Sequence, residues 1–364
     1  MLALLFLATV SGAKEYEGED TFSKEERQVI SILVANNHFK KARVNQSALV
    51  NPSVFTAYLS KLDPYSKYFS AKEMAFKHKR AKRKRLGIGL DLLINGKKIL
   101  AVPIKDSPAY QAGLTTPAYI CTIDQRKIDA TKFASYQFLA NFIAGQNVGV
   151  QTASRKGKKL KQYQLQAKLF TQSHVSFEHL AAYDVLSIRQ FSDDSTISTK
   201  QSLESLSPNK PLVIDLRFNP GGDLYATIDT LSFFLKENMI VAYLKEKNNR
   251  TPLPLKTVSG KIVSNKKIYL LLSQFTASSA EIFAQAIKHY LPKTIFVGSA
   301  TTGKCLAQET YSLDNKSALQ LSVYEVLNAQ KSRCQNKPLR VDIKIKNIET
   351  MPLKQVISSL HRLK

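Results

Sequence analysis

Short apolar runs alternate with amphipathic stretches through residues 170–347, and this alternation predicts a layered α/β sheet. Residues 14–84 have mostly helical periodicity, residues 85–169 predict strands with two helices, and residues 348–364 predict a terminal helix. The clearest apolar runs, each predicting a buried strand of the central block, are 182–188, 212–216 and 268–272.

The first residues suggest export. Residues 1–10 are almost wholly apolar, and Ser11, Gly12 and Ala13 form a small-residue cleavage pattern, which together resemble a short secretory signal without its basic start. Ten apolar residues are too few to cross a bilayer, so the alternative is a buried or frayed N-terminal segment. With a signal over residues 1–13, we expect a periplasmic or otherwise exported protein.

The charge balance is strongly basic. The 364 residues include 53 Lys plus Arg against 28 Asp plus Glu, a net charge of +25, so acidic partners or surroundings are expected. The densest cluster covers residues 77–85 and is either a solvated linker or a contact for an anionic membrane or envelope polymer. No aromatic residue interleaves it, which disfavours nucleic acid. A homo-oligomer stays open.

Two segments near the C-terminal third carry candidate chemistry. Residues 276–282 read TASSAEI and residues 302–308 read TGKCLAQ, so they offer Ser278, Lys304 and Gln308. A serine hydroxyl attacks a carbonyl only if a base takes its proton. His289 is unsuitable, because eleven residues of one helix put it about 16 Å along the axis from Ser278. Lysine is the remaining candidate base.

Lys304 can act as a base only when it is neutral, and burial in an apolar pocket lowers the pKa of an amine. Lys304 follows the apolar run 294–298 and begins an extended segment that reaches Tyr311. Alternation then predicts that Lys304 and Gln308 share one side, where the Gln308 amide oxygen can accept a hydrogen bond from the amine.

Each of these residues also has a structural interpretation. Ser278 and Glu281 fit a capping box ahead of an apolar helix, and a lysine in so basic a chain is usually solvated. Capping and catalysis are compatible at a helix start, where free N–H groups can stabilise an oxyanion. The pairing of the two segments favours chemistry.

Further motifs give the chain a family resemblance. Residues 211–222 read PLVIDLRFNPGG, residues 58–70 include LDPYSKYFS, and residues 86–90 and 107–114 read LGIGL and SPAYQAGL. Together with the Ser278 and Lys304 segments, they resemble the C-terminal processing, or tail-specific, serine peptidases. The resemblance implies a crotonase-like peptidase core over residues 170–347 with an inserted PDZ-like domain over residues 85–169.

The resemblance also implies roles for residues. Ser278 becomes the nucleophile, Lys304 the general base and Gln308 the residue that orients the lysine. The oxyanion hole falls on backbone N–H groups of Ser279 and of Gly221 and Gly222, although paired glycines also suit an ordinary strand-to-helix turn.

A PDZ domain binds a free C-terminus as an added strand, with backbone N–H groups receiving the carboxylate. Apolar C-terminal tails of proteins or peptides are therefore the expected substrates. The loop that binds them is expected at Leu86, Gly87, Ile88 and Gly89, with an apolar pocket near residues 138–139.

Departures from the family pattern keep alternatives open. Cys305 replaces the glycine after the family's lysine, one extra residue separates serine from lysine, and residues 117–118 read Pro-Ala in place of Gly-Asp. A non-catalytic binding protein with the same fold is the competing class. The three cysteines show no metal-ligand spacing, so no metal or cofactor is expected, and a Cys305–Cys334 disulfide is one possibility.

Overall fold

The computed structural model describes residues 21–361 except 41, 82–83, 131–141, 154–159 and 249–250. The predicted signal over residues 1–13, most of the second helix predicted within residues 85–169, the expected pocket at residues 138–139 and part of the basic cluster lie outside the described residues. Among the helices described, none combines the length and apolar character needed to cross a bilayer.

The described residues form eight α-helices. Several begin at polar caps that the sequence supplies, such as Ser23 before the first helix and Asn51 before the second. The helices are α1 (Lys24–Asn37), α2 (Pro52–Leu62), α3 (Ala71–Ala81), α4 (Pro108–Gln111), α5 (Asp193–Glu204), α6 (Leu224–Ser232), α7 (Ser279–Tyr290) and α8 (Leu353–His361).

Nineteen strands are described, and they form three larger sheets and one two-stranded ribbon. The strands are β1 (Lys67–Phe69), β2 (Lys84–Gly87), β3 (Leu90–Asn95), β4 (Lys98–Pro103), β5 (Ala118–Ile123), β6 (Arg126–Lys127), β7 (Asn147–Ala153), β8 (Leu160–Gln166), β9 (Lys168–Thr171), β10 (Val175–His179), β11 (Asp184–Ile188), β12 (Leu212–Asp215), β13 (Ile240–Lys245), β14 (Leu253–Lys256), β15 (Ile268–Leu272), β16 (Ile295–Gly298), β17 (Leu306–Ser312), β18 (Ala318–Asn328) and β19 (Ile343–Lys344).

The central sheet has the order β10-β11-β12-β15-β16-β19, and every neighbouring pair after the first is parallel. Alternate side chains of each strand enter two different cores. Ile214 and Leu270 pack on the side of α6 and α7, whereas Val213 and Leu271 pack with Val356 of α8. Apolar side chains on both faces explain the continuous apolar runs of the sequence.

A second sheet has the order β1-β18-β13-β14, with β17 also paired to β18. Helix α7 packs against β13, so helices separate the two sheets, and the outer face of β18 packs under α1 and α2 through Leu319 and Leu321. After strand β17 the chain turns near residues 314–316 and returns as β18, which pairs antiparallel with β17.

Residues 88–167 form a separate β-rich unit around β3, β4, β5, β7 and β8. Strands β2 and β9 pair with each other, so the chain enters and leaves this unit at one place. A tight turn joins β3 to β4, where Asn95 pairs with Lys98 and Gly96 has φ 59°. The unit contacts the central core where Leu100 and Val102 pack with Phe275.

Candidate active site

The candidate residues meet at the carboxyl ends of three adjoining parallel strands. Strand β12 leads to the turn with Gly221 and Gly222, β15 leads to Ser278, and β16 leads to Lys304. Because these strands are neighbours in the sheet, segments far apart in sequence emerge side by side. The hydrogen bond from Thr302 N to the carbonyl of Thr276 joins two of these segments directly.

Ser278 lies at the N-cap position of α7 with φ 57° and ψ −128°, a backbone conformation that costs a non-glycine residue about 1–3 kcal/mol. Its side chain does not cap the helix, because Glu281 N donates to the backbone carbonyl of Ser278. The half of the predicted capping box formed by the Glu281 side chain is present, since Ser278 N donates to Glu281 Oε2 at 3.1 Å. The Ser278 hydroxyl makes no side-chain cap to α7, so it is not committed to the helix start.

Glu281 connects the segment of Ser278 to the segment of Lys304. Its carboxylate is buried, with 1% of the residue exposed, and accepts hydrogen bonds from Ser278 N at 3.1 Å, Gly303 N at 2.8 Å and Lys304 N at 2.8 Å, and from the Thr301 hydroxyl. Burial raises the pKa of Glu281, and these hydrogen bonds oppose the increase. The sequence suggested only a cap for this residue.

Lys304 is half-buried, and its Nζ atom lies 4.6 Å from the centre of the Tyr65 ring. The pKa of Lys304 is lowered to about 8, because burial and then the like charge of Lys67 lower it more than Asp63 and Glu281 raise it. Roughly a tenth of the lysine is therefore neutral at pH 7, compared with about a thousandth for an ordinary lysine. The environment suits a general base in mildly alkaline solution.

Among the described residues, the hydrogen bonds of Gln308 do not include one to Lys304. The Nε2 atom of Gln308 donates to the Leu306 carbonyl at 2.8 Å and to the Ser322 hydroxyl at 3.2 Å. Strand β17 begins at Leu306, after the lysine, and a β-bulge between Ala307 and Gln308 interrupts its alternation. Strand periodicity therefore cannot decide whether Lys304 and Gln308 share one side, and that placement stays a prediction.

The glycine turn lies against the candidate nucleophile. A Cβ atom on Gly221, which has φ 107°, would come within 2.8 Å of Ser278 Cβ and 3.1 Å of Ser279 N, so only glycine fits. Gly221 N donates to the Asn219 side chain at 2.8 Å. The N–H groups of Gly222 and Ser279 have no acceptor among the described residues, and both belong to segments that border Ser278.

Cys305 and Cys334 form a disulfide bond, which the sequence had left open. Both residues are buried in the central core, and Cys305 N donates to the Gln335 side chain at 2.7 Å. The bond holds the residue next to Lys304 to the segment that follows β18. Cys121 is a free thiol, and the described residues contain no cluster able to hold a metal ion.

Sequence reasoning missed the segment that covers Lys304. It noted residues 58–70 as family-like but gave no role to Asp63, which is buried after α2, or to Tyr65. It also missed His38, which is fully buried and lies 2.8 Å from Asp63 Oδ2. The family-like LDPYS motif was the only signal, because nothing local links these residues to Lys304.

The predicted peptide-binding loop is packed at the edge of the β-rich unit. Leu86 and Gly87 belong to β2 and pair with β9, while the carbonyl of Ile88 accepts from Ala109 N at 2.9 Å. Gly89 has φ 77°, and a Cβ atom there would lie 2.2 Å from Ser107. The loop therefore requires a glycine at this position.

The sequence of the core has known relatives. Residues 183–345 match the sequence model of peptidase family S41. This segment, which is less than half of the chain, is similar to peptidase family S41. The predicted resemblance to the C-terminal processing serine peptidases is thereby confirmed, and it extends beyond the S41 segment in the curated relatives.

Two of these relatives are both named "Probable CtpA-like serine protease". The one from Staphylococcus haemolyticus (strain JCSC1435) is 22% identical over 332 residues, which cover 89% of this chain and 66% of that protein. The one from Staphylococcus aureus (strain N315) is 23% identical over 286 residues, which cover 78% of this chain and 57% of that protein. The chain thus spans less than two thirds of the length of these relatives.

Solved structures share the fold. The photosystem II D1 C-terminal processing protease aligns with a TM-score of 0.62 at 19% identity, covering 89% of this chain and 87% of that chain. The "Putative S41 protease" from Bacteroides fragilis NCTC 9343 aligns with a TM-score of 0.64 at 16% identity, covering 97% and 100%. The predicted mixed α/β architecture is confirmed at this level.

Proposed function

We propose that this chain is a serine endopeptidase that cleaves protein substrates near their C-termini, with Ser278 and Lys304 as a catalytic dyad. One observation carries the proposal: the buried carboxylate of Glu281 accepts hydrogen bonds from the backbone N–H groups of both Ser278 and Lys304, and so joins the two segments that bear the dyad. A carboxylate buried between a strained serine and a lysine of lowered pKa is costly to maintain, and positioning the dyad is the use that fits its partners.

The reaction needs one proton carrier. Neutral Lys304 takes the proton of the Ser278 hydroxyl as Oγ bonds to the scissile carbonyl carbon, and the resulting ammonium gives that proton to the leaving amine. A water molecule then attacks the acyl-enzyme. Its proton passes to Lys304 and on to Ser278 Oγ, which restores the starting state.

The tetrahedral intermediate carries a negative oxygen, which the N–H groups of Gly222 and Ser279 are available to bind. Ser279 is the first residue of α7, so the positive end of that helix adds to the stabilisation. The Gly221 N–H already binds Asn219, and in this proposal Gly221 serves the close approach of the turn to Ser278.

Substrate selection is assigned to the β-rich unit, acting as a PDZ-like domain inserted into a crotonase-like core. The loop from Leu86 to Gly89 would receive the free carboxylate of an apolar tail, and the tail would add a strand to a sheet edge. The contact of this unit with Phe275, three residues before Ser278, supports delivery of the tail to the dyad.

An exported location fits two features of the chain. The Cys305–Cys334 bond is stable in an oxidising compartment, and the net charge of +25 favours an anionic envelope surface. Binding to vesicles that contain anionic lipid, lost as salt is raised, tests the second point. Equal binding to neutral vesicles would contradict it.

The test of the dyad is hydrolysis of a reporter protein with a free apolar tail. Ser278→Ala and Lys304→Ala are each expected to lower kcat/KM by at least about 1,000-fold. The exposed residues Ser312 and Lys293 provide matched control variants, Ser312→Ala and Lys293→Ala, which should cleave normally. Absence of cleavage by the wild-type protein, with retained tail binding, would favour the non-catalytic binding protein.

The test of tail capture compares the same reporter with an amidated C-terminus. Amidation removes the negative charge that the loop is proposed to bind, so KM should rise about tenfold or more while kcat changes little. An unchanged KM would remove the capture model and leave the dyad intact.

A further inference from the structure

A chain of hydrogen bonds runs from the N-terminal helical segment to the strand that carries Gln308, and it begins at Asp63. Oδ2 of Asp63 binds His38 Nε2 at 2.8 Å and the Ser66 hydroxyl at 2.6 Å, while Oδ1 accepts from the Ser322 hydroxyl at 2.9 Å. Tyr65 N and Ser66 N also donate to Oδ1. Burial raises the pKa of Asp63, but these hydrogen bonds outweigh it and hold the pKa at about 2.

The ionised state of Asp63 fixes the direction of the next hydrogen bond. A carboxylate can only accept, so Ser322 must give its single hydroxyl proton to Asp63. The Ser322 oxygen can then only accept from Gln308, whose Nε2 atom lies 3.2 Å away. The two residues are direct partners in the register of β17 and β18, which keeps them together.

A second contact fixes the other proton of the Gln308 amide. The Leu306 carbonyl lies 2.8 Å from Nε2, and a carbonyl also can only accept. Both amide protons are thus committed, and Oε1 is the end that stays available. In the described part of the chain, neither Gln308 Oε1 nor Lys304 Nζ has a hydrogen-bond partner, and the amine lies over the Tyr65 ring.

We propose that Ser322 is a positioning residue. Because Asp63 fixes the direction of the Ser322 hydroxyl, Ser322 fixes the orientation of the Gln308 amide, so that Oε1 accepts a hydrogen bond from the Lys304 amine in the free enzyme as well as during catalysis. This inference rests on the proposed peptidase function. The observation behind it is that, among the described residues, Gln308 Oε1 is an unused acceptor and Lys304 Nζ an unused donor, and the two residues lie four positions apart in one segment.

The groups around Lys304 explain why a neutral acceptor suits this site. Lys67, Asp63, Glu281 and the Tyr65 ring all influence the amine, with Lys67 opposing its charge and the two carboxylates favouring it. A third carboxylate at the place of Gln308 would keep the lysine protonated. An amide oxygen holds the amine in place with a smaller increase in its pKa.

The decisive variant is Ser322→Ala, tested in the full chain by the pH dependence of kcat/KM. Without its second anchor the Gln308 amide loses its fixed direction, so Lys304 loses an acceptor that favours the ammonium form. The acidic limb of the pH profile of kcat/KM should move to lower pH by about half to one unit. The maximal kcat/KM should fall about three- to tenfold. Ser322→Thr, which keeps the hydroxyl, should restore both.

A matched control separates this effect from general damage to the hairpin. Ser317 is buried at the start of the same β18 hairpin, and its hydroxyl has no hydrogen-bond partner in the structure. Ser317→Ala should keep the wild-type pH profile. If Ser317→Ala moves the acidic limb as far as Ser322→Ala does, the inference is overturned.

A second measurement needs no peptidase activity. The pH dependence of carbamylation by cyanate, which reacts with the neutral amine, gives the pKa of Lys304 by peptide mass spectrometry in a Ser278→Ala background. Adding Ser322→Ala should lower that pKa by about half to one unit. The same pKa with and without Ser322→Ala would overturn the inference while leaving the dyad standing.

If Ser322→Ala lowers the pKa of Lys304 in a protein whose wild-type form cleaves no reporter, that result supports the positioning role of Ser322 and rejects the proposed peptidase function. If Ser322→Ala does not fold, Ser322→Cys applies the same test, because a thiol is a weak donor and acceptor.

Discussion

At the scale of single residues, Glu281 and Lys304 show how burial and hydrogen bonding prepare the site. Burial raises the pKa of Glu281. The backbone N–H groups of Ser278 and Lys304, one on each catalytic segment, donate to its carboxylate and oppose this increase. Lys304 has a lowered pKa because it is buried near Lys67. The folded protein therefore shifts the pKa values of both groups from their ordinary values, upward for Glu281 and downward for Lys304.

Replacing Glu281 tests whether its carboxylate aligns the dyad. In Glu281→Gln, the amide group turns donors toward buried N–H groups, so we expect unfolding to require about 2–4 kcal/mol less free energy. Misalignment of Ser278 and Lys304 should lower kcat/KM about 100-fold. Denaturant unfolding and reporter hydrolysis measure both, with the exposed Glu237→Gln as control. Activity within threefold of wild type would contradict the aligning role.

Lys304 should lower the free energy of unfolding of the protein near neutral pH. Its pKa is about 8 in the folded protein and higher in the unfolded chain, so between these values the unfolded chain binds more protons and stability rises with pH. Lys304→Met should abolish hydrolysis and raise the free energy of unfolding at pH 7 by about 1–2 kcal/mol. The gain should shrink toward pH 10. A variant less stable than wild type at pH 7 would refute this.

At the scale of elements, the site depends on connections between strand ends. Strands β12, β15 and β16 bring the three catalytic segments together, and the Cys305–Cys334 bond joins the segment before β17 to the segment after β18. The second segment also supplies Gln335, which binds Cys305 N and lowers the otherwise raised pKa of Tyr65 through a hydrogen bond. The disulfide therefore helps to hold Gln335 beside Tyr65, whose ring lies over the Lys304 amine.

Removal of the disulfide should weaken the fold and the site together. The bond joins residues 29 positions apart, so the loop it closes is worth about 2–4 kcal/mol of stability. The double variant Cys305→Ala, Cys334→Ala should lose that amount and about tenfold in kcat/KM. Cys121→Ala is the matched control because it carries a free thiol. A reductant that changes the double variant as much as the wild type would point to another cause.

At the scale of the whole molecule, the β-rich unit meets the core beside the catalytic loops. Phe275, with 2% exposed, packs with Leu100, Val102 and Tyr119, and Phe218 lies at the edge of this cluster. Phe275 lies three residues before Ser278, and Phe218 lies three before Gly221. Apolar packing of this kind transmits displacement, because tightly packed side chains cannot shift alone.

Weakening this contact should uncouple the unit from the dyad. Phe275→Ala removes a buried ring at the boundary, so we expect a loss of about 3–5 kcal/mol in stability and at least tenfold in kcat/KM for tailed reporters. Phe234→Ala creates a comparable cavity in a core cluster that contains no residue of the β-rich unit, and it is the matched control. Equal losses of activity in both variants would argue against coupling through this contact.

The sequence by itself determined the architecture of the core and the identity of the candidate dyad. Apolar runs at 212–216 and 268–272 predicted buried strands of a layered α/β sheet, because a strand with two buried faces has no polar alternation, and the structure shows these strands paired in parallel. The Ser278 and Lys304 motifs, with the glycine turn, carried the family resemblance that the S41 match confirms. The domain boundaries, the site roles and the exported location remain predictions.

Only the tertiary structure decided which side chains surround the lysine. Tyr65 over Lys304, the four donors on Glu281 and the path from Asp63 through Ser322 to Gln308 join segments up to about 260 residues apart. Local periodicity cannot report such contacts, and a β-bulge shifted the one alternation that seemed to place Gln308. Hydrogen-bond polarity and burial depend on all neighbours at once, so folding had to bring them together first.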